Sequence, residues 1–349
     1  MISPARQVAF DVLRKVHQGG YASDLLLQRS VPLDSRDAGL AAEIVFGCLR
    51  HQAQLDYLIA RRVPRAPEAE VRIALRMGIY QLRYLDRIPP HAAVGESVEL
   101  VKRAHKAPAA GLVNAILRKT DRQHVTWPDR ATDLSMPAWL LERWDRQFGR
   151  AAANKIAAAF LLPAETNIAS TGRIQDIGAQ SIVPFLDLHP GQAFLDLCAA
   201  PGNKTAQAIE CGARVVACDI HLHRLQQMSG LNCSLVVLDG TRPLPFRAKF
   251  DRILVDAPCS GTGTLGRNPE IKWRLQESDL ADLHAKQVVL VRQALKHLCP
   301  GGRLVYATCS LEKEENEHVI QEVGGDWQTS ERLPGLNEGD GFFVAVSSR

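Results

Sequence analysis

The sequence lacks the features that would anchor it in a membrane or mark it for export. No apolar run approaches the ~18–20 residues that a bilayer-spanning helix needs. The opening Met1-Ile2-Ser3-Pro4-Ala5-Arg6 has no apolar stretch behind a basic one, so no secretory signal is expected and the cytoplasm is the expected compartment. The eight cysteines, at 48, 198, 211, 218, 233, 259, 299 and 309, include no C-x2-C pair, which excludes zinc-ribbon spacing, and no metal site is expected. Internal repeats and low-complexity tracts are also missing.

What is present is an ordinary globular composition. Hydrophobic residues make up 46% and charged residues 23% of 349 positions, which excludes a mainly disordered chain. At the usual ~150 residues per domain, about two domains are expected. Cysteines scattered through so long a chain read as reduced thiols. Cys48, Cys211, Cys218, Cys233 and Cys299 read as small core hydrophobes. Charge is uneven: residues 1–165 carry 24 Lys and Arg against 17 Asp and Glu, and residues 166–349 carry 18 against 21. A basic front half suggests a polyanion-binding module joined to a second unit.

The front is helical by its spacing. Ile44, Val45, Cys48 and Leu49, then Leu55, Leu58 and Ile59, recur at three and four. Val71, Leu75, Ile79 and Leu82 form one stripe, with Arg72, Arg76 and Arg83 off it. Pro89-Pro90 breaks the chain before a further helix through Val94, Val98 and Val101, and 110–120 reads as one more with a basic end. Residues 121–135 are polar and read as a linker, and 136–162 as two amphipathic helices. From about 166, short apolar runs at 193–198, 214–218, 234–238, 251–255 and 302–307 alternate with helical stretches. That alternation predicts a parallel, doubly wound α/β sheet, whose ligands sit beyond the carboxyl ends of its strands.

Chemistry gathers at those ends. The first run leads into Asp196-Leu197-Cys198-Ala199-Ala200-Pro201-Gly202-Asn203-Lys204-Thr205. Its small residues let backbone approach a ligand, and a helix starting near Gly202 would point free N–H groups at it. The spacing matches neither G-x-G-x-x-G nor a P-loop and suits an anionic or carboxylate-bearing cofactor. The second run ends at Asp219, where an acid can accept from both ribose hydroxyls. The third ends at Asp239, suited to an adenine amino group, and the fourth at Asp256, followed by Ala257-Pro258-Cys259-Ser260-Gly261-Thr262-Gly263. Each Asp taken singly could equally be a helix N-cap. The fifth run ends in Thr308-Cys309-Ser310, so Cys259 and Cys309 both emerge on the cofactor side of neighbouring strands.

At Asp196 through Thr205, Asp256 through Gly261 and Thr308-Cys309-Ser310, the chain resembles the RNA cytosine-5 methyltransferases of the Sun/NOP family. Arg267-Asn268-Pro269-Glu270-Ile271-Lys272-Trp273-Arg274 and Asp340-Gly341-Phe342-Phe343 add to the likeness. The front is similar to the NusB-like RNA-binding fold, through Tyr80-Gln81-Leu82, Ile88-Pro89-Pro90-His91-Ala92 and Val113 to Arg118. The resemblance implies an α/β, Rossmann-like class I methyltransferase core preceded by an all-α domain. It divides the chain into 1–125, NusB-like and RNA-binding; 126–165, a helical linker and shortened pre-methyltransferase segment; and 166–349, the methyltransferase. Relatives usually carry Gly where this chain has Asn203; Asn tolerates left-handed backbone angles, so the loop is expected to keep its shape. They also carry a small RNA-binding subdomain for which only Pro163-Ala164-Glu165-Thr166-Asn167 and a few further residues stand here.

For function, the resemblance implies S-adenosylmethionine as cofactor. Its methionine part would lie over Cys198, Ala199, Ala200, Pro201, Gly202, Asn203 and Lys204, its ribose on Asp219 and its adenine near Asp239. Arg224 would hold Asp219 or line the site, and Asp256 would border it. The resemblance makes Cys309 the thiolate that adds to cytosine carbon 6, Cys259 the residue that helps release product, Asp256 the partner of the cytosine edge and Lys204 an electrostatic aid. The implied partner is RNA, 16S ribosomal RNA in particular, acted on by a monomer, with no DNA or membrane partner. Rival readings are another RNA such as tRNA, a DNA-type enzyme in which the Pro-Cys element promotes Cys259 over Cys309, and a non-catalytic RNA-binding or ribosome-assembly protein.

Overall fold

The computed structural model describes residues 2–31, 33–169 and 171–348. They form two compact units: Met1–Pro163 with Leu265–Arg274, and Ala164–Thr264 with Leu275–Arg349.

The first unit is helical. Its main helices are Pro4–His17, Ala22–Arg29, Ser35–Arg50, Gln52–Ala60, Ala69–Tyr84, Pro90–Arg103, Ala110–Arg118, Ala138–Phe148 and Arg150–Ala159. Local chemistry sets their starts. Asp34 caps Ser35–Arg50 by accepting from Asp37 N at 2.8 Å. Pro90 opens its helix at a position whose N–H has no intrahelical partner anyway. The expected stripes form the core: Ile44, Val45, Cys48, Leu55, Leu75, Ile79, Val101 and Val113 are buried together. The segment read as a linker is not free of this core. Val125 and Trp127 pack on it, and Arg122 Nε donates to Leu82 O at 2.9 Å. Trp144 is fully buried, its ring centre 6.1 Å from that of Phe160.

Residues 265–274, quoted above as a family motif, belong to this unit because they satisfy its backbone. The last carbonyls of the helix Ser35–Arg50 have no intrahelical donors. Trp273 Nε1 donates to Leu49 O at 2.8 Å, and Lys272 Nζ donates to Arg50 O at 2.8 Å and to Ser135 O at 2.9 Å. Glu270 Oε1 accepts from Ala22 N, the first residue of its helix, at 2.9 Å. The helical unit thus runs past residue 125, to Pro163, and recruits ten residues from far along the chain.

The second unit is built on one seven-stranded sheet in the order β3-β2-β1-β4-β5-β7-β6. The strands are β1 Ala193–Asp196, β2 Arg214–Asp219, β3 Ser234–Val237, β4 Phe250–Asp256, β5 Leu298–Thr308, β6 Gln328–Arg332 and β7 Phe342–Ser348. The first five are parallel, as expected. Beyond the runs read from sequence the sheet is mixed: β7 runs antiparallel to both β5 and β6. The sequence hid this hairpin for two opposite reasons. The strand β6 is polar and mostly exposed, as suits an edge. In β7 five of the first six residues are buried, so no clean alternation appears.

Burial on both faces follows the strand period of two. Leu195, Ile253, Val255, Leu304 and Tyr306 pack on one side, and Phe194, Leu254, Val305, Ala307 and Val344 on the other. The register sets Asp196 beside Leu254 and Asp256 beside Ala307, so the loops after β1, β4 and β5 open at one edge. Among the core cysteines expected, Cys48 and Cys218 are buried, while Cys233 and Cys299 are half-buried. Cys211 is corrected: it is exposed, because it follows the helix Asn203–Glu210 as its C-cap. Among the described residues, no helix is long and apolar enough to cross a membrane.

Candidate active site

The loop after β1 is shaped by one glycine. Gly202 caps the helix Asn203–Glu210 at φ +104°, a conformation costly for any residue with a Cβ. A Cβ there would also stand 2.9 Å from Met228 Cγ. Asn203 itself is the first helical residue and is not among those with positive φ. The reason given above for tolerating Asn203 is therefore corrected: the left-handed position is Gly202, one residue earlier. Just before the loop, Asp196 is 1% exposed. Its Oδ2 accepts from Thr205 Oγ1 at 2.7 Å, and its Oδ1 has no hydrogen-bond partner among the described residues. Burial first, against the Thr205 bond and helped by Asp256, pushes its pKa up to about 7. Beside it, burial and then the Asp196 charge push the Cys198 thiol well above its ordinary range.

Asp219, at the end of β2, is tied into the same loop. It accepts from Ala200 N at 3.3 Å and from His221 N at 2.9 Å. Arg224 closes the corner, with Nη2 donating to Ala200 O at 2.9 Å and Nη1 lying 3.6 Å from Asp219 Oδ2. Arg224 thus braces Asp219 against the loop. Asp239 lies two residues beyond β3 and makes a local turn, accepting from Thr241 N at 3.0 Å and Thr241 Oγ1 at 2.6 Å. These bonds hold its carboxyl below the usual carboxylate range. The small-residue loop, the left-handed glycine, the orphan oxygen of buried Asp196 and the ordered acid of Asp219 fit an adenosine-bearing, amino- and carboxylate-ended cofactor such as S-adenosylmethionine.

At the other side of this edge stand the cation and the thiols. Lys204 Nζ is 2.6 Å from Asp256 Oδ2 and 5.5 Å from the centre of the Phe342 ring. Burial disfavours the Lys204 charge, but Asp256, then Cys309 and Asp196, outweigh it and hold the ammonium above its ordinary range. Cys259 Sγ and Cys309 Sγ are 3.3 Å apart. The hydrogen bond with Cys309 first, then burial and the charge of Glu315, drives the Cys259 thiol well above its ordinary range. Backbone contact brings these loops together: Gly263 N donates to Cys309 O, and Gly341 N to Gly263 O, each at 2.8 Å. A Cβ on Gly263 would stand 2.5 Å from Gly341 O, so glycine alone fits.

The structure therefore collects Cys198 through Lys204, Asp219, Arg224, Asp256, Cys259 and Cys309 at one edge of one sheet. Sequence reasoning passed over Asp196 as a site residue, and also Phe342 and Glu315. The first was visible as the acid closing an apolar run, and Phe342 stood within a motif quoted only for its likeness.

Comparisons with known proteins identify the family. The family model described as 16S rRNA methyltransferase RsmB/F matches residues 183–331, and that of the NusB family matches residues 3–122. Ribosomal RNA small subunit methyltransferase B of Klebsiella pneumoniae (strain 342) is 31% identical, over 97% of both chains. The protein of the same name from Escherichia coli (strain SMS-3-5 / SECEC) is 33% identical over 95% of both. The Klebsiella alignment runs over 418 positions, more than the 349 residues here, so that relative carries residues with no counterpart in this chain. Among solved structures, PH0851 superposes with a TM-score of 0.80 at 20% identity over 99% of each chain. A methyltransferase homolog protein from Pyrococcus horikoshii gives 0.53 at 24% identity, over 64% of this chain and 100% of that one. These two share the fold. On the curated relatives, the chain belongs to the ribosomal RNA small subunit methyltransferase B family, whose members transfer a methyl group from S-adenosylmethionine.

Proposed function

We propose that this protein methylates carbon 5 of a cytosine in 16S ribosomal RNA, acting as a cytoplasmic monomer through a covalent link from Cys309 to carbon 6. The observation that carries the reading is the 3.3 Å separation of Cys259 and Cys309 at the cofactor edge of neighbouring strands. The relatives' shared name supports the choice of ribosomal RNA, and the match to the NusB model supports RNA binding by residues 1–125. S-adenosylmethionine, when bound, supplies an electrophilic methyl on sulfur. Gly202, Asn203 and the rest of the 198–204 loop would hold its methionine end, Asp219, braced by Arg224, its ribose, and Asp239 its adenine.

Carbon 5 of cytosine is a weak nucleophile, and a thiolate added at carbon 6 makes it an enamine carbon. Lys204 stands near enough to Cys309 for its charge to act on that sulfur. As the Cys309 sulfur bonds to carbon 6, the ring double-bond electrons move toward carbon 5 and the ring nitrogen. Asp256 would meet the N3 and N4 edge, and a proton that N3 takes from water here, and returns to water at release, neutralises that charge. Carbon 5 then takes the methyl. Transfer of the carbon 5 proton to water and cleavage of the sulfur–carbon bond, whose electron pair leaves with sulfur, restore the aromatic ring and return the Cys309 thiolate. Cys259, adjacent to the bond that must break, assists this last step. The target base must leave its stack to reach the site, so unpaired or loop RNA is the expected context.

Bisulfite sequencing of cellular RNA, with and without the gene, tests the reading directly. One cytosine of 16S ribosomal RNA should lose its mark without the gene and regain it with the wild-type gene but not with Cys309→Ala. Loss of a mark in tRNA alone would reassign the substrate, and full restoration by Cys309→Ala would reject the nucleophile.

A further inference from the structure

A single buried carboxyl group links the two cysteine loops. Glu315 closes the short turn Lys313–Glu315 and is 0% exposed. Its Oε1 accepts from Ser260 N at 2.8 Å and from Gln287 Nε2 at 3.0 Å. Its Oε2 accepts from Ser310 Oγ at 2.5 Å and from Ser260 Oγ. Ser260 directly follows Cys259, and Ser310 directly follows Cys309. Gln287 Nε2 also donates to Pro258 O at 2.9 Å, so the residue before Cys259 is held as well. On the other loop, Asn316 accepts from Thr308 Oγ1 at 2.6 Å and donates to Ser310 O at 3.0 Å, which fixes both flanks of Cys309. The turn itself is pinned by Tyr306, whose hydroxyl donates to Glu315 O at 2.5 Å.

Four donors on one carboxyl, with water excluded, make a rigid joint between elements that share no covalent link nearby. A hydrophobic residue at this place would leave Ser260 N, one N–H of Gln287 and at least one of the two hydroxyls without an acceptor. The arrangement therefore has a purpose beyond filling the core. Resting on the two-cysteine reading above, we propose that Glu315 is a positioning residue for methyl transfer: it locks the Cys259 and Cys309 loops at the spacing that lets one sulfur attack while the other stands ready for release.

Electrostatics act in the same sense. The titratable groups that interact with Cys259 are Cys309, Glu315 and Tyr306, and Lys204 interacts with Cys309. The Glu315 charge adds to the Cys309 hydrogen bond and burial in raising the Cys259 thiol, while the Lys204 charge acts on Cys309.

The test compares full-length wild type with Glu315→Gln, using S-adenosylmethionine and protein-free 16S ribosomal RNA. Glutamine keeps an acceptor for Ser260 N but removes the charge and presents N–H to the hydroxyls. Single-turnover methylation should fall about 100-fold, the usual cost of ~1 Å misplacement at a reacting centre. Cofactor affinity should stay within about twofold of wild type, because the hydrogen bonds of Glu315 run to Ser260, Gln287, Ser310 and Tyr306 and not to the 198–204 loop. The pH midpoint for alkylation of Cys259 by iodoacetamide, read by mass spectrometry, should drop by about one pH unit when the neighbouring charge is removed. Ser310→Ala, which removes one donor and keeps the charge, should slow methylation and leave that midpoint in place. Wild-type methylation by Glu315→Gln, an unmoved midpoint, or a rate lost only in step with cofactor binding would each overturn the proposal. Should Cys309→Ala remain active, the two-cysteine reading fails, while the alkylation midpoint still decides whether Glu315 governs Cys259.

Discussion

Lys204, in the first turn of the helix that follows β1, and Asp256, the last residue of β4, meet at 2.6 Å. Both side chains are largely buried, at 13% and 28% exposure, so the pair is poorly screened. Removing the cation leaves an uncompensated carboxylate beside two thiols and strips Cys309 of its nearest positive charge. Lys204→Met should therefore lower single-turnover methylation by about 10²-fold or more, the scale of losing one preorganised electrostatic partner. Cofactor affinity, measured by calorimetry, should change far less. A variant with normal turnover would remove Lys204 from the chemistry.

The two cysteines differ in expected phenotype because they act at different steps. With Cys259 replaced by Ala, addition of Cys309 and methyl transfer can still occur, but release is impaired. Cys259→Ala should accumulate a protein–RNA adduct that survives denaturing electrophoresis and disappears in the double variant with Cys309→Ala. Normal turnover without adduct would show that Cys259 has no part in release, and adduct in Cys309→Ala alone would reverse the two roles.

The parts legible in sequence were those where burial and chemistry alternate on a short period. The first five strands each read as an apolar run closed by an acid or a small-residue loop, and the structure puts those closures at one edge. The hairpin β6–β7 was illegible because one strand is polar at an edge and the other is buried on both faces. Glu315 was illegible for another reason. It lies in Leu311-Glu312-Lys313-Glu314-Glu315-Asn316-Glu317, a charge run that reads as solvated surface. Only a three-residue turn aims Glu312 and Glu315 inward, both 0% exposed, and leaves Lys313 outside. Membership of 265–274 in the helical unit was hidden as well, since its hydrogen bonds run to residues more than 130 positions away.

That recruited segment yields a stability prediction. Lys272 is 2% exposed, and its ammonium serves the carbonyls of Arg50 and Ser135. Methionine would fill the volume but donate nothing. Each orphaned buried carbonyl costs about 1–3 kcal/mol, so Lys272→Met should destabilise the helical unit by about 2–4 kcal/mol. Urea denaturation followed by helical circular dichroism measures it. A change below ~0.5 kcal/mol would mean that water reaches those carbonyls instead.

Asp196 sets a pH dependence with an unusual sign. Its carboxyl is raised by burial to about 7, from an ordinary 3.8. Between those values the folded chain holds a proton that the unfolded chain has lost. The stability it contributes is complete below about pH 4 and is lost as pH rises toward 7, with a slope of up to ~1.4 kcal/mol per pH unit. Salt-bridged carboxylates elsewhere act oppositely, so the informative quantity is the difference from Asp196→Asn, which retains an acceptor for Thr205 and cannot ionise. Denaturation at pH 5 and at pH 7.5 should show wild type losing stability relative to Asp196→Asn on going to the higher pH. A constant difference would mean that Asp196 is ionised throughout, with its orphan oxygen solvated or paired, and would withdraw it as the protonated acid at the floor of the cofactor loop.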